Sequence, residues 1–182
     1  MKLLLENWRK FINEIGDASA ELYPFEVIGQ STADDVRYVE YGFKTEEYLY
    51  RVNFYLTSYF GGEKRKPTWK IDFEASEKDR LSAFSTRMTG EGNPLRIMST
   101  VVNIIKDFAG NPRLNDGILR FRFTGMPKSD AEDLYSDKAT QRTRLYRAFL
   151  EKNMPPGTKV EEDGSNMISF TIPKEQKDET PA

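Results

Sequence analysis

Residues Thr89–Phe108 read TGEGNPLRIMSTVVNIIKDF, a glycine-spaced loop running straight into an apolar helix. Asn93 is a good N-cap. Pro94 suits the first helical position, because its φ is already set and its missing N–H is not needed there. From that start Leu95, Ile97, Met98, Val101, Val102, Ile104, Ile105 and Phe108 run almost all the way round the helix. A helix without a polar face has to be enclosed, so the spacing predicts a central core helix over which the rest of the chain folds. The loop before it admits a second reading as an anion site. Backbone N–H groups after Gly90 and Gly92 would act there with the positive end of the helix and Arg96 in its first turn. With Arg142 and Arg144 from a later helix, the candidate anion-binding set is Gly90, Gly92, Asn93, Arg96, Arg142 and Arg144. No Gly-Lys-Ser/Thr follows, so this is not a P-loop, and the spacing is not that of a dinucleotide-binding turn. As a helix cap the stretch explains itself without a ligand.

Upstream of this helix the period is two rather than three to four. Val39, Tyr41 and Phe43 share one face of VRYVEYGF, and Tyr48, Tyr50, Val52, Phe54 and Leu56 share one face of YLYRVNFYL. Both segments read as half-buried strands, and the short KTEE link predicts an antiparallel hairpin. SYFGGEKRKPT reads as a charged loop, carrying Lys64, Arg65 and Lys66 at its tip, into a third strand in which Trp69, Ile71, Phe73 and Ala75 face inward. Downstream, GNPRLND reads as a breaker-rich turn and ILRFRF as a strand with Leu119, Phe121 and Phe123 inside. ATQRTRLYRAFLEKN places Leu145, Tyr146, Phe149 and Leu150 on one helical stripe, ended by Pro155, Pro156 and Gly157. TKVEEDGSNMISFTI predicts a C-terminal hairpin turned at Asp163-Gly164.

The resulting expectation is an α+β fold: an antiparallel sheet, a buried central helix, a second packed helix and the C-terminal hairpin. Residues 24–172 form the single domain. Residues 1–16 form an amphipathic N-terminal helix, and the tail 173–182, which has no large apolar residue after Pro173, is expected to be disordered.

At 182 residues, with 38% hydrophobic and 13% aromatic side chains, the chain can bury one ordinary core. It has no cysteine and no histidine. Disulfides, thiolate metal sites, zinc hydrolase centres and Ser-His-Asp or Cys-His catalysis within this chain are thereby excluded. A net charge of −2 supplies no global field toward nucleic acid or an anionic membrane. The opening MKLLLENWRKFI is too short in apolar residues for a signal peptide, and no stretch reaches the length of a membrane span. An intracellular protein without cofactor or membrane contact is the expectation.

Three groups of residues bear on chemistry. Asp72 and Glu74 share a strand face and can be read as a magnesium site, although Lys70 on the same face, with Arg120 and Arg122 nearby, favours cross-strand charge pairing. Arg142, Arg144, Arg147 and Lys152 can contact phosphate, while the acidic residues Asp130, Glu132, Asp133 and Asp137 just upstream offer them partners within the chain. In the opening helix Trp8, Phe11 and Ile12 either pack on the domain or anchor in the groove of a partner.

The loop and helix of TGEGNPLRIMSTVVNIIKDF, together with RTRLYRAFLEKNMPPG and its Arg-x-Leu-Tyr helix, resemble a group of small uncharacterised proteins encoded by tailed bacteriophages. MKLLLENWRKFINE is similar to leading segments of phage-encoded proteins of several kinds. The matching pieces cover about a third of the chain. What the resemblance implies is a phage product made in the host bacterial cytoplasm, a virion structural or assembly component whose partners are other phage proteins or itself. No catalytic residue is implied with it.

Overall fold

The computed structural model describes residues 21–33, 36–60, 63–78, 94–124, 141–162 and 167–173. Its strands are β1 (Phe25–Ala33), β2 (Val36–Lys44), β3 (Tyr48–Phe60), β4 (Glu63–Glu77), β5 (Arg120–Thr124), β6 (Lys159–Glu162) and β7 (Met167–Thr171). The described helices are α1 (Pro94–Gly110), α2 (Pro112–Asn115) and α3 (Gln141–Asn153). The strands form one seven-stranded sheet in the order β1-β2-β3-β4-β5-β7-β6. The α+β class is as the patterning predicts.

Three features differ from the sequence reading. The sheet is mostly rather than wholly antiparallel, because β5 lies parallel to β4 with Trp69 opposite Phe121 and Ile71 opposite Phe123. The chain leaves β4, passes through α1 and α2 and returns, and a crossover of that length brings the next strand back in the same direction. The expected charged loop between the second and third predicted strands is largely strand instead. β3 runs on to Phe60 and β4 begins at Glu63, so Lys64, Arg65 and Lys66 belong to β4. Pro67 cannot donate to a ladder, and it falls in the register shift between Thr57 and Tyr59, where an irregular stretch tolerates it. GNPRLND holds a single turn of helix rather than a plain turn. Asn111 caps that turn by accepting from the Arg113 N–H, and Asp116 closes it at φ 53°.

Alternation places Val39, Tyr41, Phe43, Tyr50, Val52, Phe54, Trp69, Ile71, Phe121, Phe123, Ile168 and Phe170 in one buried cluster. On that face lies α1, whose Ile97, Met98, Val101, Val102, Ile104, Ile105 and Phe108 are buried as its apolar circumference requires. Phe108 stacks on Phe54 with centroids 4.0 Å apart and meets Trp69 and Phe121 edge-on at 5.0 and 6.1 Å. From α3 come Phe149 and Leu150, both buried, while Tyr146 stands edge-on to Phe123 at 5.0 Å.

The end of α1 is sealed by Asn115, which is 1% exposed. Its Nδ2 donates to the carbonyls of Phe108 and Ala109, and its Oδ1 accepts from the Gly117 N–H. One amide thus satisfies carbonyls that the helix terminus leaves open. The Asn115 carbonyl in turn lies 3.4 Å from the Trp69 indole nitrogen, which donates to it and ties this corner to β4.

β6 pairs antiparallel with β7, while the Asp163-Gly164 turn expected between them lies outside the described residues. So do residues 1–20, the acidic run before α3 and the tail beyond Pro173.

Replacing Phe108 with alanine removes the ring on which both layers converge. The expected loss is about 3–5 kcal/mol, the range for truncating a buried aromatic residue, read as a lower midpoint in urea unfolding with an unchanged slope.

Candidate functional site

All three described helices pack on the same side of the sheet, so among the described residues the other face carries no helix. The residues out of phase with the core face point there. In register across its middle, Glu40 of β2, Asn53 of β3 and Asp72 of β4 stand side by side. One row over stand Tyr38, Tyr55, Lys70 and Arg122, and on the opposite side Arg51 pairs with Glu74 in the ladder. Short polar and long charged side chains here replace the aromatic residues of the buried face.

The charges are partly matched. Arg51 approaches Glu40 at 3.1 Å across strands, and Lys70 donates to Asp72 at 2.9 Å along its own strand. The sequence reading pairs Lys70, Arg120 and Arg122 with Asp72 and Glu74 across strands; the Lys70 pair is instead made within β4, and the cross-strand contact is Arg51 with Glu40, which that reading does not include. These contacts leave Glu74 without an ion pair among the described residues. Tyr38 and Tyr55 meet at a tilt with centroids 6.4 Å apart. The Tyr55 hydroxyl is held protonated above its ordinary range, first by burial and then by the fields of Glu74, Asp72 and Glu40. Three carboxylates therefore converge on one phenol.

Asn53 is the anomaly of this face. It is 4% exposed although no described helix covers it, and its Oδ1 accepts no hydrogen bond. Its neighbours on this face are Glu40 and Asp72 in register and Arg51 and Tyr55 two residues away on β3. A buried acceptor left unpaired costs about 1–3 kcal/mol.

The other candidates are placed as follows. Arg96 turns toward the segment that enters β1. Its Nη2 donates to the Leu22 carbonyl at 3.3 Å, the Glu21 carboxylate lies at 3.8 Å, and its guanidinium sits 4.1 Å from the Tyr23 ring centroid. The Tyr23 N–H donates to Thr100 Oγ1 at 3.1 Å, so α1 tethers the incoming chain at two points. Gly90, Gly92 and Asn93 lie outside the described residues, as do Trp8, Phe11 and Ile12. Arg142 is on the first turn of α3, Arg144 is exposed one residue beyond the buried Thr143, and Arg147 pairs with Glu151 at 2.8 Å. Among the described residues no group of three acidic side chains is arranged to hold a metal ion, and Asp72 is engaged by Lys70. No described helix is long and apolar enough to cross a membrane.

Asn53 was not among the residues the sequence singled out. An amide at an outward position of an alternating strand reads as solvent-facing, and its burial is not a property of local spacing. Comparison with protein families, with curated proteins and with solved structures gave no match to this chain.

A buried Tyr41 lies on the core face, and its hydroxyl donates to Asp107 Oδ2 at 2.8 Å. Burial first, and then the Asp107 carboxylate, push its pKa above the ordinary phenol value of about 10. A phenol whose folded pKa exceeds its unfolded one gives stability that is complete below pH about 10 and lost as pH rises beyond it. Wild-type melting temperature should therefore fall above pH about 10 more steeply than that of Tyr41→Phe, which at neutral pH should lose only about 1 kcal/mol.

Substituting Asn53 with leucine, similar in volume, removes the unpaired acceptor. Stability should rise by about 1 kcal/mol, a melting-temperature gain of about 2–4 °C for a chain of this size.

Proposed function

We propose that this chain is a non-enzymatic contact protein, a structural or assembly component of a tailed bacteriophage that works through the helix-free face of its sheet. The phage assignment is what its resemblance implies. The contact reading is supported by one observation above all, a sheet face on which tyrosines, matched charges and a buried unpaired amide stand where a second layer of helices is absent among the described residues. The residues reserved for covalent chemistry offer no competing site. β6, paired with β7 at the far edge of the sheet, places Lys159 and Glu161 on this face, and short charged strands of this kind discourage unwanted strand addition. Trp8, Phe11 and Ile12 supply a second docking element.

Nucleic acid is the less favoured partner. Arg120, Arg122 and Lys70 lie on the same face as Glu40, Asp72 and Glu74, and those carboxylates repel the phosphates that the basic residues attract. Mixed charge suits a protein surface instead, where complementary fields set the docking register.

The test is mass spectrometry of purified phage particles combined with cross-linking of the full chain to phage proteins during infection. Cross-links should map to Lys70 and its neighbours, and Arg51→Glu with Lys70→Glu should reduce partner capture at least tenfold while the fold melts normally. A protein that stays out of particles and gives no cross-link to any phage protein or to itself overturns the proposal.

A further inference from the structure

We infer that Asn53, Glu74 and Tyr55 form a binding site for one organic cation, an alkylammonium or guanidinium group. Charge selects the ligand first. Arg51 engages Glu40 and Lys70 engages Asp72, which leaves Glu74 as the carboxylate of this group without an ion pair among the described residues. Hydrogen bonding selects it again. The Asn53 Oδ1 is a buried acceptor that no donor reaches, which an N–H of the incoming group satisfies. The rings of Tyr38 and Tyr55, tilted against each other, supply aromatic faces, whose negative quadrupole attracts ammonium and guanidinium groups.

Other ligand classes fit less well. An anion meets three carboxylates. A divalent metal has to displace the ammonium of Lys70 and the guanidinium of Arg51 from the oxygens it needs, and no three acidic groups are arranged for it among the described residues. A single cation can pair with Glu74 without displacing either. Tyr55 and Arg51, the outward residues on either side of Asn53 along β3, are 36% and 39% exposed, so the flanks of the buried amide reach solvent.

The cation has two possible sources, a free polyamine or a lysine or arginine side chain on a partner protein. The site stands on its own geometry, and small probes test it apart from the protein-contact proposal. Full-length protein labelled with nitrogen-15 is titrated separately with N-acetyl-arginine methylamide, N-acetyl-lysine methylamide, spermidine and magnesium chloride. The Asn53 side-chain amide and the Glu74 backbone amide report binding. We expect saturable shifts at both with at least one organic cation, weakened at least tenfold in Glu74→Gln and lost in Asn53→Leu, with both variants melting no lower than wild type. Tighter binding of the arginine or lysine probe assigns the site to a protein side chain, and tighter binding of spermidine assigns it to a free polyamine. Shifts produced by magnesium alone overturn the inference, as do shifts unchanged in Glu74→Gln or no shift with any probe. It also falls if the Asn53 side-chain N–H groups are already hydrogen-bonded to Glu40 or Asp72 in the free protein.

Discussion

Phe108 stacks on Phe54 at 4.0 Å while its edges face Trp69 and Phe121. Those four rings come from α1, β3, β4 and β5, so a single side chain fixes the height of the helix over three neighbouring strands. Once α1 is fixed there, the chain that leaves β4 must cross above the sheet and descend beside it, and β5 can enter only parallel to β4. The side-chain amide of Asn115 completes the descent by closing the helix end and presenting its backbone carbonyl to Trp69. Aromatic faces and edges attract in this offset geometry, which makes the arrangement more specific than burial of the same area by aliphatic groups.

With α1, α2 and α3 all committed to the ring-bearing side, the opposite face is left to residues that alternate out of phase. Val52 and Phe54 are completely buried, and Asn53 between them on β3 is 4% exposed. Almost equal burial on the two sides of one strand therefore has opposite chemistry. The apolar residues are enclosed by a packed layer of helices, whereas the amide is buried on a face that carries no described helix. A strand selected only for stability has no use for an amide at such a position, because desolvation of an unpaired carbonyl opposes folding.

The sequence made the buried layer legible because its signals are local. Val39, Tyr41 and Phe43 in one segment and Tyr50, Val52 and Phe54 in the next sit two residues apart, Pro94 opens a helix with apolar residues on nearly every side, and Phe149 and Leu150 follow Tyr146 at helical steps. What it hid depends on distant partners or on irregularity. In β1 the alternation of Phe25 and Val27 is broken by Ile28 at the register shift before Gly29, so that strand had no clean period to read. Pro67 reads as a loop residue until the shift that accommodates it is seen. The direction of β5 is a property of the crossover and not of ILRFRF. Arg96 reads as a helix-start cation open to an anion, but the residues it reaches, Leu22 and Tyr23, lie more than seventy positions earlier in the chain.

The face left open followed a different logic, and its charged residues were read correctly as residues but not as a group. Asp72, Glu74 and Lys70 stand out in WKIDFEA, where they read as cross-strand partners, although Lys70 in fact pairs with Asp72 on its own strand. Local spacing does not show that Glu40 arrives from β2 already engaged by Arg51, or that Asn53 lies between the two pairs. That addition changes the chemistry: two acids on one strand suggest a metal site, whereas with Glu40 and Asp72 each engaged, Glu74 is left unpaired beside a buried acceptor. Attraction for a cation there is strengthened by the same burial that makes Asn53 costly, since an acceptor screened from water interacts more strongly with a donor that reaches it. Burial of the amide and affinity for a cation are thus two consequences of one local arrangement.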